Sequence, residues 1–145
     1  MDQVDKSVLV EYSCDEMYAL VRDVEQYPRF LPWCSGASAA TVDANTERAS
    51  LDIDYHGVRT SFTTENTHHE PSNIEIELLE GPFRHLHGSW HFTPLGSAAC
   101  KVHLRLSYEF SNRILEKLVG PVFGYIANSL VEAFVKRAVQ LHGSR

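Results

Sequence analysis

Cysteine is scarce in this 145-residue chain: the three present, Cys14, Cys34 and Cys100, are odd in number and form no C-x-x-C pair. That argues against a disulfide framework and fits a reducing, cytoplasmic setting. Positive charge is also in deficit, with 13 Lys plus Arg against 19 Asp plus Glu and a formal net charge of −6. Such a balance excludes a protein that coats nucleic acid indiscriminately, and no DNA partner is expected. No uninterrupted apolar run reaches the ~18 residues needed to cross a bilayer. The first residues, Met1-Asp-Gln-Val-Asp-Lys, put acids where a secretory leader puts bases. The signatures G-x-S-x-G, H-E-x-x-H, the P-loop and G-x-G-x-x-G are all missing, so nucleophilic, zinc and nucleotide chemistry lack support.

What is present suits one globular domain spanning residues 1–145, with 43% hydrophobic and 10% aromatic residues. A domain near this size buries roughly 68–70% of its unfolded surface and needs no metal or disulfide staple. Charge is uneven: between residues 111 and 145, Arg113, Lys117, Lys136, Arg137 and Arg145 face only Glu116 and Glu132. A local basic surface is therefore available on an acidic protein.

Hydrophobic periodicity orders the chain. Val4, Val8, Val10 and Tyr12 share the parity of a first strand. Ser13 with Glu16 three residues on forms a capping box, and Met17, Leu20, Val21 and Val24 follow at helical spacing. Two prolines make Tyr27 to Cys34 a short helical turn or loop. Between Gly36 and Phe110, turns at Asp43 to Thr46, His56-Gly57, Pro71 to Asn73, Gly81-Pro82 and Pro94 to Ser97 divide six alternating strands. In these strands Leu51, Ile53 and Tyr55 oppose Asp52 and Asp54, and Ile74, Ile76 and Leu78 oppose Glu75 and Glu77, which gives a sheet wet on one face. From Asn112 to Leu141, Leu115, Leu118, Val122, Phe123, Ile126, Leu130, Phe134, Ala138 and Leu141 form a helical stripe, with Gly120-Pro121 expected to kink or divide it. A sheet and a long helix that each carry one apolar face pack most economically as an α+β helix-grip fold, a curved seven-stranded antiparallel sheet around the C-terminal helix.

Particular motifs carry a resemblance. Val10-Glu-Tyr-Ser, Leu20-Val-Arg-Asp-Val-Glu-Gln-Tyr-Pro, Phe30-Leu-Pro-Trp-Cys, Ser61-Phe-Thr-Thr, Gly81-Pro-Phe, Trp90-His-Phe, Cys100-Lys-Val, Gly120-Pro-Val-Phe and Leu130-Val-Glu-Ala-Phe-Val-Lys-Arg-Ala are similar to the START-like family that joins bacterial ribosome-association toxins with the mitochondrial coenzyme Q-binding START proteins. The resemblance covers nearly the whole chain. It implies one of two activities: binding ubiquinone or another lipid in support of respiration, or binding the large ribosomal subunit and blocking subunit joining.

The ligand reading needs a hollow between helix and sheet, lined by Leu51, Ile53, Tyr55, Phe62, Thr64, Ile76, Leu78, Trp90, Phe92, Leu104, Leu106, Tyr108, Phe123, Ile126 and Leu130. Thr60, Thr64 and Asn66 share the parity of Phe62 and are placed to hydrogen-bond a quinone carbonyl. Phe30, Leu31 and Trp33 are candidates for a lid, or for transient membrane contact during ligand exchange. The ribosome reading needs cations on the outer helix face: Arg113, Lys117, Lys136 and Arg137, with Arg84, His85 and His87 as possible neighbours. His85, His87 and His91 share a strand face and His68-His69 lies near a turn, without the spacing of a metal site, so neither metal nor cofactor is expected. Catalysis would require a cavity base such as Glu65 or Glu109, both on solvent parity, and the chain reads as non-enzymatic.

Overall fold

The computed structural model describes residues 2–144; Met1 and Arg145 lie outside the described residues. In chain order the elements are β1 (Asp2–Val10), α1 (Cys14–Arg22), a 3₁₀ segment (Val24–Arg29), β2 (Cys34–Asp43), β3 (Thr46–Tyr55), β4 (Val58–His69), β5 (Asn73–Glu80), β6 (Phe83–Pro94), β7 (Cys100–Phe110) and α2 (Arg113–His142). The strands make one antiparallel sheet in the order β1-β7-β6-β5-β4-β3-β2. β1 and β2 therefore occupy opposite edges, and α1 with the 3₁₀ segment carries the chain from one to the other. This is the helix-grip arrangement expected from the periodicity.

Local chemistry accounts for the elements. The capping box at α1 is complete: Ser13 Oγ accepts from the Glu16 amide at 3.1 Å, and Glu16 Oε1 accepts from the Ser13 amide at 3.0 Å. β3 and β4 are joined by His56-Gly57, both at positive φ (50° and 80°), as a two-residue primed turn requires. In β7 the alternation is unbroken, with Val102, Leu104, Leu106, Tyr108 and Phe110 buried. A register shift between Phe83 and His85 changes parity at the start of β6, so Phe83 turns inward while His85 and His87 stay exposed.

α2 departs from expectation in three respects. Gly120-Pro121 does not divide it: one helix of 30 residues, roughly 45 Å long, runs through. Proline in a helix interior costs ~3 kcal/mol, but Val119 and Phe123 on either side are buried against the sheet, and such burial contributes ~1.5–3 kcal/mol each. Second, the buried stripe is Val119, Phe123, Ile126, Ala127, Val131, Phe134 and Ala138. Leu118 lies on the opposite side of the helix and is 63% exposed, whereas Leu141 follows the packed line but sits in the last turn and is 52% exposed. Third, α2 is long and apolar enough, by length and composition, to cross a membrane, which counting uninterrupted apolar residues missed. One-third of that apolar stretch is buried, while Ile114, Leu118, Tyr125, Val139 and Leu141 of the helix are exposed.

Candidate functional site

The concave face of the sheet and α2 do not meet everywhere. A mainly apolar cavity of about 100 Å³ remains between them. Its apolar walls include Leu51, Phe62, Ile76, Trp90, Leu104, Leu106, Phe123, Ile126 and Leu130, and Thr64 stands among them; all ten were expected from parity. Ile53, Tyr55, Leu78, Phe92 and Tyr108 do not reach it, which corrects the expected lining. The reason is that aromatic side chains plug the groove on either side of the void. Tyr108 packs with Phe83, Phe110 and Phe123 at centroid distances of 6.1, 5.8 and 4.8 Å. Phe92 sits beneath α1 with its ring 5.5 Å from that of Tyr18. Tyr55 stacks at 5.7 Å on Tyr125 of α2.

The proposed lid segment faces inward. Leu31 and Trp33 are buried, and Trp33 forms part of the cavity wall. Phe30 is half-buried, its ring 5.5 Å from that of Phe134 and 5.1 Å beneath the Arg137 guanidinium. In this conformation Leu31 and Trp33 close the groove and offer no surface to a membrane.

One end of the cavity is polar, and sequence reasoning missed most of it. Inner-face parity in β3 runs from Tyr55 back through Ile53, Leu51 and Ala49 to Glu47. In β4 it runs from Phe62 through Thr64 and Asn66 to His68. Extending each alternation two residues would have found Glu47 and His68, which both line the cavity. Thr64 Oγ1 donates to Asn66 Oδ1 at 2.9 Å, whereas Thr60 lies outside the lining. His68 Nδ1 lies 2.8 Å from the Tyr18 hydroxyl, and its Nε2 lies 3.1 Å from Glu47 Oε1. Those last two atoms are buried and lack hydrogen-bond geometry to any partner. Burial, with Glu70 adding to it, pushes the Tyr18 phenol up to about 12, so its hydroxyl keeps its proton. Glu47 and Val24 also border an outer cleft of about 430 Å³, so they partition cavity from solvent. The arrangement supplies hydrogen-bonding groups at one end of an apolar chamber. Glu65 and Glu109, the bases considered from sequence, do not line it.

The cations expected to contact ribosome separate into two pairs. Arg113 and Lys117 open α2, and Arg84 joins them by donating to the Ser111 carbonyl at 3.3 Å. Lys136 and Arg137 lie roughly 35 Å further along the helix. There Lys136 Nζ is 3.5 Å from Glu132 Oε1, while Arg137 covers Phe30 and donates to Gln140. Arg113 and Lys117 have no carboxylate partner among the described residues. His91 pairs with Ser89 at 2.9 Å, and His103 with Asp5 at 2.5 Å. Among the described residues no three His, Cys, Asp or Glu side chains cluster as a metal site would require.

Comparison with known proteins places this geometry. Residues 10–135 match the family described as polyketide cyclase / dehydrase and lipid transport. The chain is 43% identical to the ribosome association toxin RatA of Vibrio cholerae, over 99% of each chain. It is 26% identical to coenzyme Q-binding protein COQ10 homolog B of Xenopus laevis, covering 97% of this chain and 59% of that one. Among solved structures, an 18 kDa protein from Caulobacter crescentus is 30% identical, with a TM-score of 0.76 over 99% of this chain and all of that one. Strand order, grip helix and sequence thus agree: the chain belongs to the START-like polyketide cyclase / dehydrase and lipid transport family.

Proposed function

We propose that this protein is a non-catalytic, cytoplasmic ribosome-binding factor that attaches to the large subunit and obstructs subunit joining. The observation that carries the reading is the 43% identity to a ribosome association toxin across 99% of both chains. The cavity geometry supports it indirectly. About 100 Å³ is well below the ~300–1,000 Å³ of ordinary ligand pockets, so the closed protein has no standing room for a substituted quinone with its tail. The contact is assigned to Arg113 and Lys117, which have no carboxylate partner among the described residues, whereas Lys136 and Arg137 are engaged by their own neighbours and Arg84 by Glu109 at 4.0 Å and the Ser111 carbonyl. A rigid domain seated on the joining face blocks association sterically and needs no chemistry.

Sedimentation with purified large subunits tests this. Co-sedimentation at low salt should fall steeply as salt rises, and the log–log slope should shrink by ~0.7–0.9 for each phosphate that a variant no longer neutralises. The pair Arg113→Glu with Lys117→Glu should weaken binding and flatten the slope, and Lys136→Glu should do neither. Free protein at the top of every gradient, including the one at low salt, overturns the proposal.

A second reading rests on a separate observation, the buried Glu47 Oε1 and His68 Nε2 at the polar end of the chamber, 3.1 Å from one another but without hydrogen-bond geometry. Opened, the chamber suits a hydrophobic molecule with one polar group, such as ubiquinone or another lipid. Organic extraction and mass spectrometry should then recover it, and added ubiquinone should change the emission of Trp33 and Trp90, which both line the cavity. A clean extract with unchanged emission discards this reading.

A further inference from the structure

Cys14 and Cys100 stand 86 positions apart in the chain, yet their sulfurs lie 2.7 Å from one another. Both are free thiols. Cys100 is the first residue of β7, fully buried, and is held in register between Val10 of β1 and Pro94 of β6. Cys14 is the first residue of α1 and is partly exposed. The capping box that fixes the first turn of α1 also holds the Cys14 side chain over Cys100. The third thiol, Cys34, lies on β2 at the far edge of the sheet, where its Sγ donates to the Gly36 carbonyl at 3.3 Å. The fold therefore selects one pair out of three cysteines whose spacing in sequence suggested none.

We propose that Cys14 and Cys100 form a modification site, a dithiol that a hydroperoxide converts into an intramolecular disulfide. Cys14 is the sulfur an oxidant reaches. As the thiolate it attacks the hydroperoxide's terminal oxygen, the O–O bond breaks, and Cys14 becomes a sulfenic acid while water or an alcohol leaves. Cys100 then attacks the Cys14 sulfur and forms the S–S bond. The sulfenic oxygen departs with the Cys100 proton as water. Two thiols lose two electrons in all, the hydroperoxide gains them, and a thiol reductant reverses the change. The order follows from the site: burial, reinforced by the adjoining Cys14, raises the Cys100 thiol to about 12, so the interior sulfur stays protonated until its partner has been activated. A disulfide has S–S near 2.05 Å, so the sulfurs need only close by roughly 0.7 Å.

The bond would lock a particular corner of the fold. The Tyr12 hydroxyl donates to the Gly143 carbonyl at 2.5 Å, and Glu16 lies 3.5 Å from His142, so the C-terminal end of α2 is moored to the same β1–α1 junction. A covalent link there joins α1 to the sheet beside the end of the grip helix and closes a long loop, which restricts the unfolded chain.

The test is to treat the full chain with hydrogen peroxide and count thiols under denaturing conditions. Reactive thiols should fall from three to one. A proteolytic map should show the Cys14 peptide linked to the Cys100 peptide with Cys34 free, and thermal unfolding should move up by several degrees and return on adding a reductant. Cys14→Ser, a change at a partly exposed position, should abolish both the link and the thermal shift, whereas Cys34→Ser should retain them. Three thiols remaining reactive, Cys14 passing to sulfinic or sulfonic acid without a link, or a link formed only between separate chains would each overturn the proposal. None of these outcomes depends on whether the protein binds ribosomes.

Discussion

Replacing Phe134 by alanine probes the packing that makes α2 a grip. The ring is fully buried, and it meets Tyr27, Phe30 and Trp90 at centroid distances of 5.3, 5.5 and 5.4 Å, all close to edge-on. Truncating a buried Phe to Ala costs ~3–5 kcal/mol. Aromatic pairs add ~0.5–1.5 kcal/mol each beyond their area, and removing three of them places Phe134→Ala in the upper part of that range, about 4–5 kcal/mol. Domains of this kind are stable by only ~5–15 kcal/mol, so the variant should sit near the edge of folding. Urea unfolding followed by tryptophan emission measures the destabilisation directly, because Trp33 and Trp90 are the only tryptophans and both wall the cavity. The midpoint should fall with little change in slope. The truncation also adds room beside Trp90, taking the chamber from about 100 Å³ toward the ~150 Å³ at which a dry apolar cavity accepts benzene. Benzene should therefore restore part of the stability of the variant and leave the native protein unchanged. A destabilisation under ~2 kcal/mol at constant slope would refute the view that this aromatic cluster fastens α2 to the sheet.

Two further outcomes follow from the same structure. A Cβ at Gly88 would lie 2.2 Å from the Arg105 carbonyl oxygen and 2.9 Å from Leu106 Cα, backbone atoms of β7 that cannot step aside, so Gly88→Ala should cost at least the ~1–3 kcal/mol of an overpacked core. A calorimetric scan should show a lowered Tm, at roughly 2–4 °C per kcal/mol, and an unshifted Tm would show that β6 and β7 are less closely held than described. Alkaline pH should weaken the fold because burial raises Cys34 from 9.0 to about 11, Cys100 from 9.0 to about 12 and Tyr18 from 10.0 to about 12. The unfolded chain gives up those protons first, so this contribution is whole below pH 9.0 and is lost progressively as pH climbs to about 12. Urea midpoints collected across that range should fall steadily, and a level profile would contradict the assignment.

Much of the fold was legible because alternation and helical spacing are local properties of a chain that must bury one face. Val102 to Phe110 could only be a strand with one wet side, and Ser13 with Glu16 could only open a helix. The same parity placed Leu51, Phe62, Trp90 and Phe123 around the interior. Periodicity could not reveal where that interior is filled: Ile53, Phe92 and Tyr108 have the right parity, yet the void lies elsewhere, because close packing depends on which rings meet across the groove. The course of α2 through Pro121 was also out of reach, since the cost of a proline is local while the burial that offsets it comes from the sheet.

Glu47 and His68 show the boundary most plainly. Their residue types suggest solvent; the parity of β3 and β4 puts them on the inner face, and the packing around the chamber brings them together with Tyr18. The pairing of Cys14 with Cys100 belongs to the same class. Sequence determined that this protein would be a sheet wrapped on a helix and which family it resembles, through patterns a few residues long. Tertiary structure alone decided the size of the hollow, the meeting of Tyr18, Glu47 and His68 at its polar end and the meeting of two distant thiols, because each depends on residues far apart in the chain occupying one place.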